Sequence, residues 1–375
     1  KQAESGGLTM DATGAENHCT ILVIEPSEVE KNMLWVGTDD GRVHYTLDGG
    51  SSWIEVSKNI KGLPKGSWIP QIKASKINKG EAILVANDYR RFNYEPYVYR
   101  TVDYGKKWSR IVDSEDVESY ALSIVQDKIS PNLLFLGTDD GLYFSINNAD
   151  SWLKWTKDFP TVPVKDLVIQ ERENDLIGAS FGRGFFVLDD FSALREMSED
   201  NLSKKGKLFE PRDAKLYKPR NSYGNTGAQF YVAKNPEYGA VFTYHLKDMP
   251  KTSKSKRIQS ERKLNSDKKD VPFPGYDAIS KEMNEKPASI ILTIKDSEGN
   301  HIRNVKKNAS NGSGRIAWNL RHKSYYPVRA GRSQSNFWFN PSGPYVTPGE
   351  YHAEFYLENN GSVEKLDGPI SFNVK

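Results

Sequence analysis

The sequence predicts an all-β chain: a partial β-propeller of about four four-stranded blades, followed by an immunoglobulin-like β-sandwich. Three observations carry this reading. One eight-residue pattern occurs three times, as Thr46-Leu47-Asp48-Gly49-Gly50-Ser51-Ser52-Trp53, Thr101-Val102-Asp103-Tyr104-Gly105-Lys106-Lys107-Trp108 and the altered Ser145-Ile146-Asn147-Asn148-Ala149-Asp150-Ser151-Trp152. An apolar strand running into an acidic turn precedes each copy. The second half carries short strands of period two separated by turn residues.

Each copy lies between strand-like runs, as Val43-His44-Tyr45-Thr46 and Trp53-Ile54-Glu55-Val56 flank the first, so it reads as a tight hairpin. Gly50 and Gly105 allow positive φ at the tip. Asp48, Asp103 and Asn147 can accept turn amide protons, and the hydroxyls of Thr46, Thr101 and Ser145 can hold the incoming strand. Trp53, Trp108 and Trp152 are expected to fold back under their hairpins and bury their rings. These residues are read as structural braces, and Asn147 and Ala149 in the third copy as a weakened one.

The preceding strands are Leu34-Trp35-Val36-Gly37-Thr38-Asp39-Asp40-Gly41, Ile83-Leu84-Val85-Ala86-Asn87-Asp88 and Leu134-Phe135-Leu136-Gly137-Thr138-Asp139-Asp140-Gly141. A fourth, Leu176-Ile177-Gly178-Ala179-Ser180, runs on through Phe181-Gly182-Arg183-Gly184. Blades therefore span about residues 20–58, 69–113 and 121–158, and a fourth starts at Val164 and runs out of strand after Asp190. Closed propellers need about four to eight blades. The expectation is that the chain is the tail of a longer protein, its open propeller edges covered by the rest of the parent polypeptide or by another subunit.

The domains follow as residues 1–197 for the propeller, 198–214 for a polar linker and 215–375 for the sandwich. Strands are expected at residues 228–232, 239–246, 288–294, 314–320, 348–357 and 371–374, with a partner strand after the turn at Asp296 to Asn300. Residues 249–287 are rich in Lys, Ser and Asp and poor in apolar side chains, so they read as a mobile insertion with a short helix near Asp277 to Asn284.

Composition excludes several classes. Among 375 residues the formal net charge is +3 with both signs interspersed, which gives no electrostatic case for nucleic acid. No apolar run reaches membrane-spanning length. Cys19 has no internal disulfide partner, and the six histidines are scattered singly, so neither metal nor cofactor is expected.

The repeats resemble those of large bacterial Asp-box (BNR-repeat) proteins with sortilin-like propellers, a group often labelled glycosyl hydrolase. Further matches are Gly14-Ala15-Glu16, the Gly-Thr-Asp-Asp-Gly turns, Pro96-Tyr97-Val98-Tyr99, Pro163-Val164-Lys165-Asp166-Leu167 and the run from Phe181 to Asp190. In the second half Asn235-Pro236-Glu237-Tyr238-Gly239-Ala240, Trp318-Asn319-Leu320-Arg321 and Pro348-Gly349-Glu350-Tyr351 resemble the group's appended sandwich. The resemblance implies the C-terminal part of a longer, exported protein, placed in the periplasm, at the cell surface or outside the cell.

Turns between second and third strands lie on the face where propeller clefts open. That face collects Asp39, Asp40, Asp139 and Asp140 as candidate catalytic carboxylates, although Asp-Gly is also a favoured hairpin tip. Tyr89, Arg90, Arg91, Phe92, Tyr94 and Arg183 are the candidate ligand contacts, because the loop at 89–94 exceeds what a hairpin needs. Two functions follow. One is a binding or scaffold segment recognising glycan or protein; the segment is then not catalytic by itself. The alternative is part of a glycoside hydrolase resembling the two-propeller xyloglucan-degrading enzymes, with catalytic residues partly outside these residues. A sialidase is a weaker third, since its arginine cluster has no clear counterpart here.

Overall fold

The computed structural model describes residues 19–218, 233, 235–325 and 342–375. The expected strand at 228–232, the match at Gly14-Ala15-Glu16 and His18 lie outside them. The chain divides into two compact units, Lys1–Arg195 and Glu196–Lys375.

The first unit is a partial propeller. Its sheets are β1 to β4 (Ile21–Pro26, Leu34–Thr38, Val43–Thr46, Ile54–Glu55), β5 to β8 (Trp68–Ala74, Ala82–Asp88, Asn93–Thr101, Ser109–Arg110) and β9 to β12 (Ala121–Gln126, Leu134–Thr138, Gly141–Ser145, Leu153–Lys154). Each is an antiparallel meander in chain order. The fourth sheet has three strands among the described residues, β13 to β15 (Val164–Gln170, Asp175–Ser180, Gly184–Leu188).

First strands pack side by side, β5 beside β1, β9 beside β5 and β13 beside β9. Two glycines make this approach possible. A Cβ on Gly37 would stand 2.6 Å from the Ile69 side chain, and one on Gly137 would stand 2.6 Å from the Val164 carbonyl. Each glycine sits on the second strand of one blade against the first strand of the next. Between blades 1 and 2 the core holds Trp35, Tyr45, Ile69, Ile72, Leu84 and Trp108. Between blades 2 and 3 it holds Val85, Val98, Ile124, Leu136 and Trp152. Each fully buried Ile, Leu or Val there contributes about 1.5–3 kcal/mol.

The three hairpins share one hydrogen-bond set. Thr46, Thr101 and Ser145 each donate a hydroxyl to the Oδ1 of Asp48, Asp103 and Asn147, at 2.7, 2.9 and 2.8 Å. The same hydroxyls accept from the backbone N–H of Gly50, Gly105 and Ala149, at 3.0, 2.9 and 2.9 Å. The Oδ1 atoms also accept from the N–H of Ser52, Lys107 and Ser151, at 2.9, 2.9 and 3.1 Å. The third hairpin is therefore not weaker in bonds: the Asn147 amide oxygen replaces the carboxylate, and its Nδ2 donates to Ser151 at 2.9 Å. Its cost is backbone strain, since Ala149 holds φ 71° where the other copies have Gly50 and Gly105.

One expectation fails here. Trp108 and Trp152 are 6% and 5% exposed, whereas Trp53 is 44% exposed. The first two rings lie against the preceding blade, and blade 1 has none among the described residues.

The second unit is a two-sheet β-sandwich. One sheet pairs β16 (Gly206–Leu208), β17 (Ala240–Leu246) and β20 (Gly312–Trp318); the other runs in the order β19 (His301–Asn308), β18 (Ser289–Asp296), β21 (Gly349–Asn359), β22 (Ser362–Val374). Their inner faces share a core with Phe242 against Phe372 at 5.1 Å and Trp318 against Tyr351 at 5.5 Å between ring centroids. Residues 198–214, polar enough to read as linker, hold the short helix α1 (Glu199–Ser203) and β16. Where composition reads as a mobile insertion, the chain forms α2 (Ser253–Ser266) and α3 (Tyr276–Asn284), the latter near the expected helix. Thr252 caps α2 by accepting from the Ser255 N–H at 3.2 Å. Arg257 then clamps Glu261 one turn on and Glu282 of α3. Neither helix buries an apolar side chain, and the apolar periodicity that announces a helix is missing from α2.

Candidate recognition face of the propeller

The turns between second and third strands gather at the end of each sheet where its first strand begins. Backbone bonds tie the two together: Asp39 N–H to the Thr20 carbonyl, Asp139 N–H to the Tyr120 carbonyl and Phe181 N–H to the Pro163 carbonyl. All sequence-predicted site residues outside the repeated hairpins lie in these turns, except Tyr94, which is on β7.

The blade 2 turn is the most elaborate. After β6 the chain makes a single 3-10 turn at Tyr89–Arg91, which ends with Phe92 in the left-handed region at φ 61°. A left-handed aromatic residue is strained, and this one projects its ring 84% exposed. Tyr94 follows on β7, also exposed. Beneath them runs a ladder that sequence reasoning missed. The Arg90 guanidinium lies 3.1 Å from the Trp68 ring centroid and 4.6 Å from that of Tyr89. Tyr89 stacks on Tyr120 at 4.7 Å with 20° between planes, and Tyr94 leans on Tyr120 at 6.1 Å. The Tyr120 hydroxyl donates to Asp139 at 2.7 Å.

Burial, and then the Asp139 carboxylate, push the Tyr120 phenol above its ordinary value, so Tyr120 remains a donor. Burial lowers Arg90 from its usual range, while the neighbouring tyrosines and Asp39 act the other way. Arg91 is turned to a structural task, pairing with Asp88 and donating to the Lys65 carbonyl at 2.7 Å. Arg183 is exposed at the tip of the blade 4 turn, between two glycines of positive φ.

The four candidate carboxylates are held by the chain itself. Asp39 is buried and accepts from the Thr20 N–H at 2.8 Å. Asp139 accepts from Tyr120. Asp40 accepts from Thr38 at 2.5 Å and pairs with Arg42 at 3.3 Å. Asp140 accepts from Thr138 at 2.7 Å and pairs with Lys154 at 2.6 Å. Burial raises Asp40, but hydrogen bonds from Thr38, Cys19 and Arg42 outweigh it and leave the carboxyl below its ordinary range. A general acid needs the opposite displacement. These turns brace themselves.

At the opposite end of the first strands lies a cavity of about 320 Å³, lined by the ends of β1, β5, β9 and β13. Lys76 bridges Glu28 at 3.1 Å and Glu171 at 2.7 Å, and Lys73 faces Glu25 at 3.8 Å. Burial raises the Glu25 carboxyl above its ordinary value, with Lys73 opposing it. Repeated alignment of β1, β5 and β9 was the signal that could have placed these side chains together. Among the described residues no group of three or more His, Cys, Asp or Glu could hold a metal ion, and no helix is long and apolar enough to cross a membrane.

No protein-family model matches the chain, and no curated protein matches it. Among solved structures it is similar to the GH74 enzyme of Niastella koreensis, with 11% identity and a TM-score of 0.37 over 46% of this chain and 29% of that one. It is similar to the GH74 xyloglucanase of Xanthomonas campestris, with 10% identity and a TM-score of 0.35 over 43% and 26%. It is also similar to YCF48 of Cyanidioschyzon merolae, with 19% identity and a TM-score of 0.34 over 45% and 53%. The chain thus spans less than a third of either GH74 enzyme and about half of YCF48.

Proposed function

We propose that this chain is an exported binding segment of a larger Asp-box, sortilin-like propeller protein with an immunoglobulin-like sandwich, and that it recognises a glycan through the blade 2 turn. The observation that carries the reading is Phe92, held at positive φ and exposed beside Tyr94 above the Trp68–Arg90–Tyr89–Tyr120 ladder. Aromatic rings stack on the apolar faces of sugars, and the Tyr94 ring, already leaning on Tyr120, loses less entropy on contact than a free one. Arg183 extends the polar rim at the blade 4 turn. The hydrolase alternative draws little support from Asp39, Asp40, Asp139 and Asp140, whose oxygens are engaged by the chain's own donors.

An array of plant and bacterial oligosaccharides, followed by calorimetry, tests the proposal. Phe92→Ala and Tyr94→Ala should each weaken binding about tenfold, the equivalent of 1.4 kcal/mol, with unchanged thermal unfolding. Absence of any oligosaccharide ligand, or binding untouched by both substitutions, overturns it. Reducing-sugar release abolished by Asp39→Asn or Asp139→Asn would establish the hydrolase instead.

A further inference from the structure

Strand register puts residues of different blades at equivalent positions, so their burial can be compared directly. Ile24, Ile72 and Ile124 lie on first strands opposite Val36, Leu84 and Leu136 of the second. Ile72 and Ile124 are 0% exposed; Ile24 is 59% exposed. The box tryptophans repeat the contrast. What buries the two later positions is the preceding blade. Trp108 meets Trp35 edge to face at 5.9 Å, and the Gly105 backbone approaches so closely that a Cβ there would stand 2.9 Å from Val56. The Trp152 indole donates to the Ile111 carbonyl at 3.0 Å. In both cases the hairpin meets the segment that follows the fourth strand of the preceding blade: Asn59 donates to the Gly105 carbonyl at 2.8 Å, and Ile111 follows β8.

We infer that the flank of blade 1 carrying Ile24 and Trp53 is a docking surface for a further, complete four-stranded blade supplied by polypeptide outside residues 1–375. The occupant must be complete because the seat beside the indole includes the segment that follows a fourth strand. A second copy of this chain does not provide one. Its blade 4 has three strands among the described residues, its chain turning away at Asp190, and its blades 1 to 3 already carry their own successors. The internal interfaces specify the contact: an apolar seat like that of Trp35, Val56 and Ile60, which share one core with Trp108. This inference is independent of the recognition face, which is at the strand ends and not on the flank.

The test adds a blade. Residues 64–120, which hold blade 2 and its trailing segment, are fused directly ahead of Ile21 in place of residues 1–20. A parallel fusion carries residues 160–190, the three-stranded blade 4. Trp53 is read by subtracting the emission of the matching Trp53→Phe variant. In the 375-residue chain Trp53 should emit at long wavelength and be readily quenched by acrylamide. The complete blade should shift that emission to the blue and lower its quenching to the level of Trp108 and Trp152, and the three-stranded blade should not. A folded complete-blade fusion in which Trp53 stays quenchable overturns the inference. So does a stable dimer of the 375-residue chain in which Trp53 is already protected. Paired variants decide the matter without any fusion: Trp53→Lys should leave the melting temperature of the chain nearly unchanged, whereas Trp108→Lys should unfold it. Equal losses would place the seat of Trp53 inside blade 1 and overturn the inference.

Discussion

The hairpins ending in Trp53 and Trp108 are the same object locally and different objects in the fold. Their hydroxyl, carboxylate and amide bonds agree within a few tenths of an ångström. Yet one indole is 44% exposed and the other 6%. The comparison separates two functions of one motif. Short-range hydrogen bonds close the turn, and they do so wherever the pattern occurs. Burial of the ring depends on a neighbouring sheet, which the motif cannot supply for itself. In a radial array the stabilising area belongs to the interface between repeats.

The largest expected effect breaks the symmetry between the two rings. Trp108→Ala removes an indole packed against Trp35 in the core between blades 1 and 2, and should destabilise the propeller unit by about 3–5 kcal/mol. Trp53→Ala deletes the same group from a half-open flank, and should cost less than about 1 kcal/mol. Urea unfolding followed by fluorescence measures both. Similar losses would mean that the ring's value lies inside its own hairpin.

Acid sharpens the comparison by testing the shared part. The Ser52 hydroxyl, with the Ser52 N–H and Thr46 behind it, holds Asp48 well below its ordinary value of 3.8. The Lys107 N–H, with Thr101, also lowers Asp103. A carboxyl depressed in the folded chain adds stability that is present above its unfolded value and lost as pH falls through the folded one. Protection of the Ser52 and Lys107 amides from hydrogen exchange should therefore decline together below about pH 3.8. The Ser151 amide, which donates to the uncharged Asn147, should keep its protection. If Ser52 and Lys107 diverge, the burial of the ring reaches back into the turn.

The contrast also marks what was legible in the sequence. The hydroxyl, the acid or amide and the small residue of each box act within five residues of one another, so their geometry could be written down from spacing. The same is true of the Asp-Asp-Gly turns, where Thr38 and Thr138 close on Asp40 and Asp140 two residues away. Arg90 was marked as a ligand contact, but its placement on Trp68 and near Tyr120 is set by strands more than twenty residues distant. The exposure of Trp53 is not encoded near Trp53 at all. Helix α2 was hidden for another reason: its stability comes from a cap and from Arg257 ion pairs, which leave no apolar stripe to read.

The smallest effect concerns the third hairpin, where the sequence departs from the pattern and the bonds do not. Asn148 and Ala149 hold φ 62° and 71°, the left-handed values that Gly49 and Gly50 adopt freely in the first. For alanine this conformation costs roughly 1–2 kcal/mol. Ala149→Gly removes that strain, but returns about 0.4–1 kcal/mol through the greater freedom of the unfolded chain. It also deletes a methyl packed against the blade 2–3 core. The balance should be a gain of about 0.5 kcal/mol, read as a slightly higher melting temperature, with the Ser145 to Ala149 bond retained. A loss instead would show that the methyl's contact in the blade 2–3 interface outweighs the backbone strain, so that even at the hairpin tip the neighbouring blade governs.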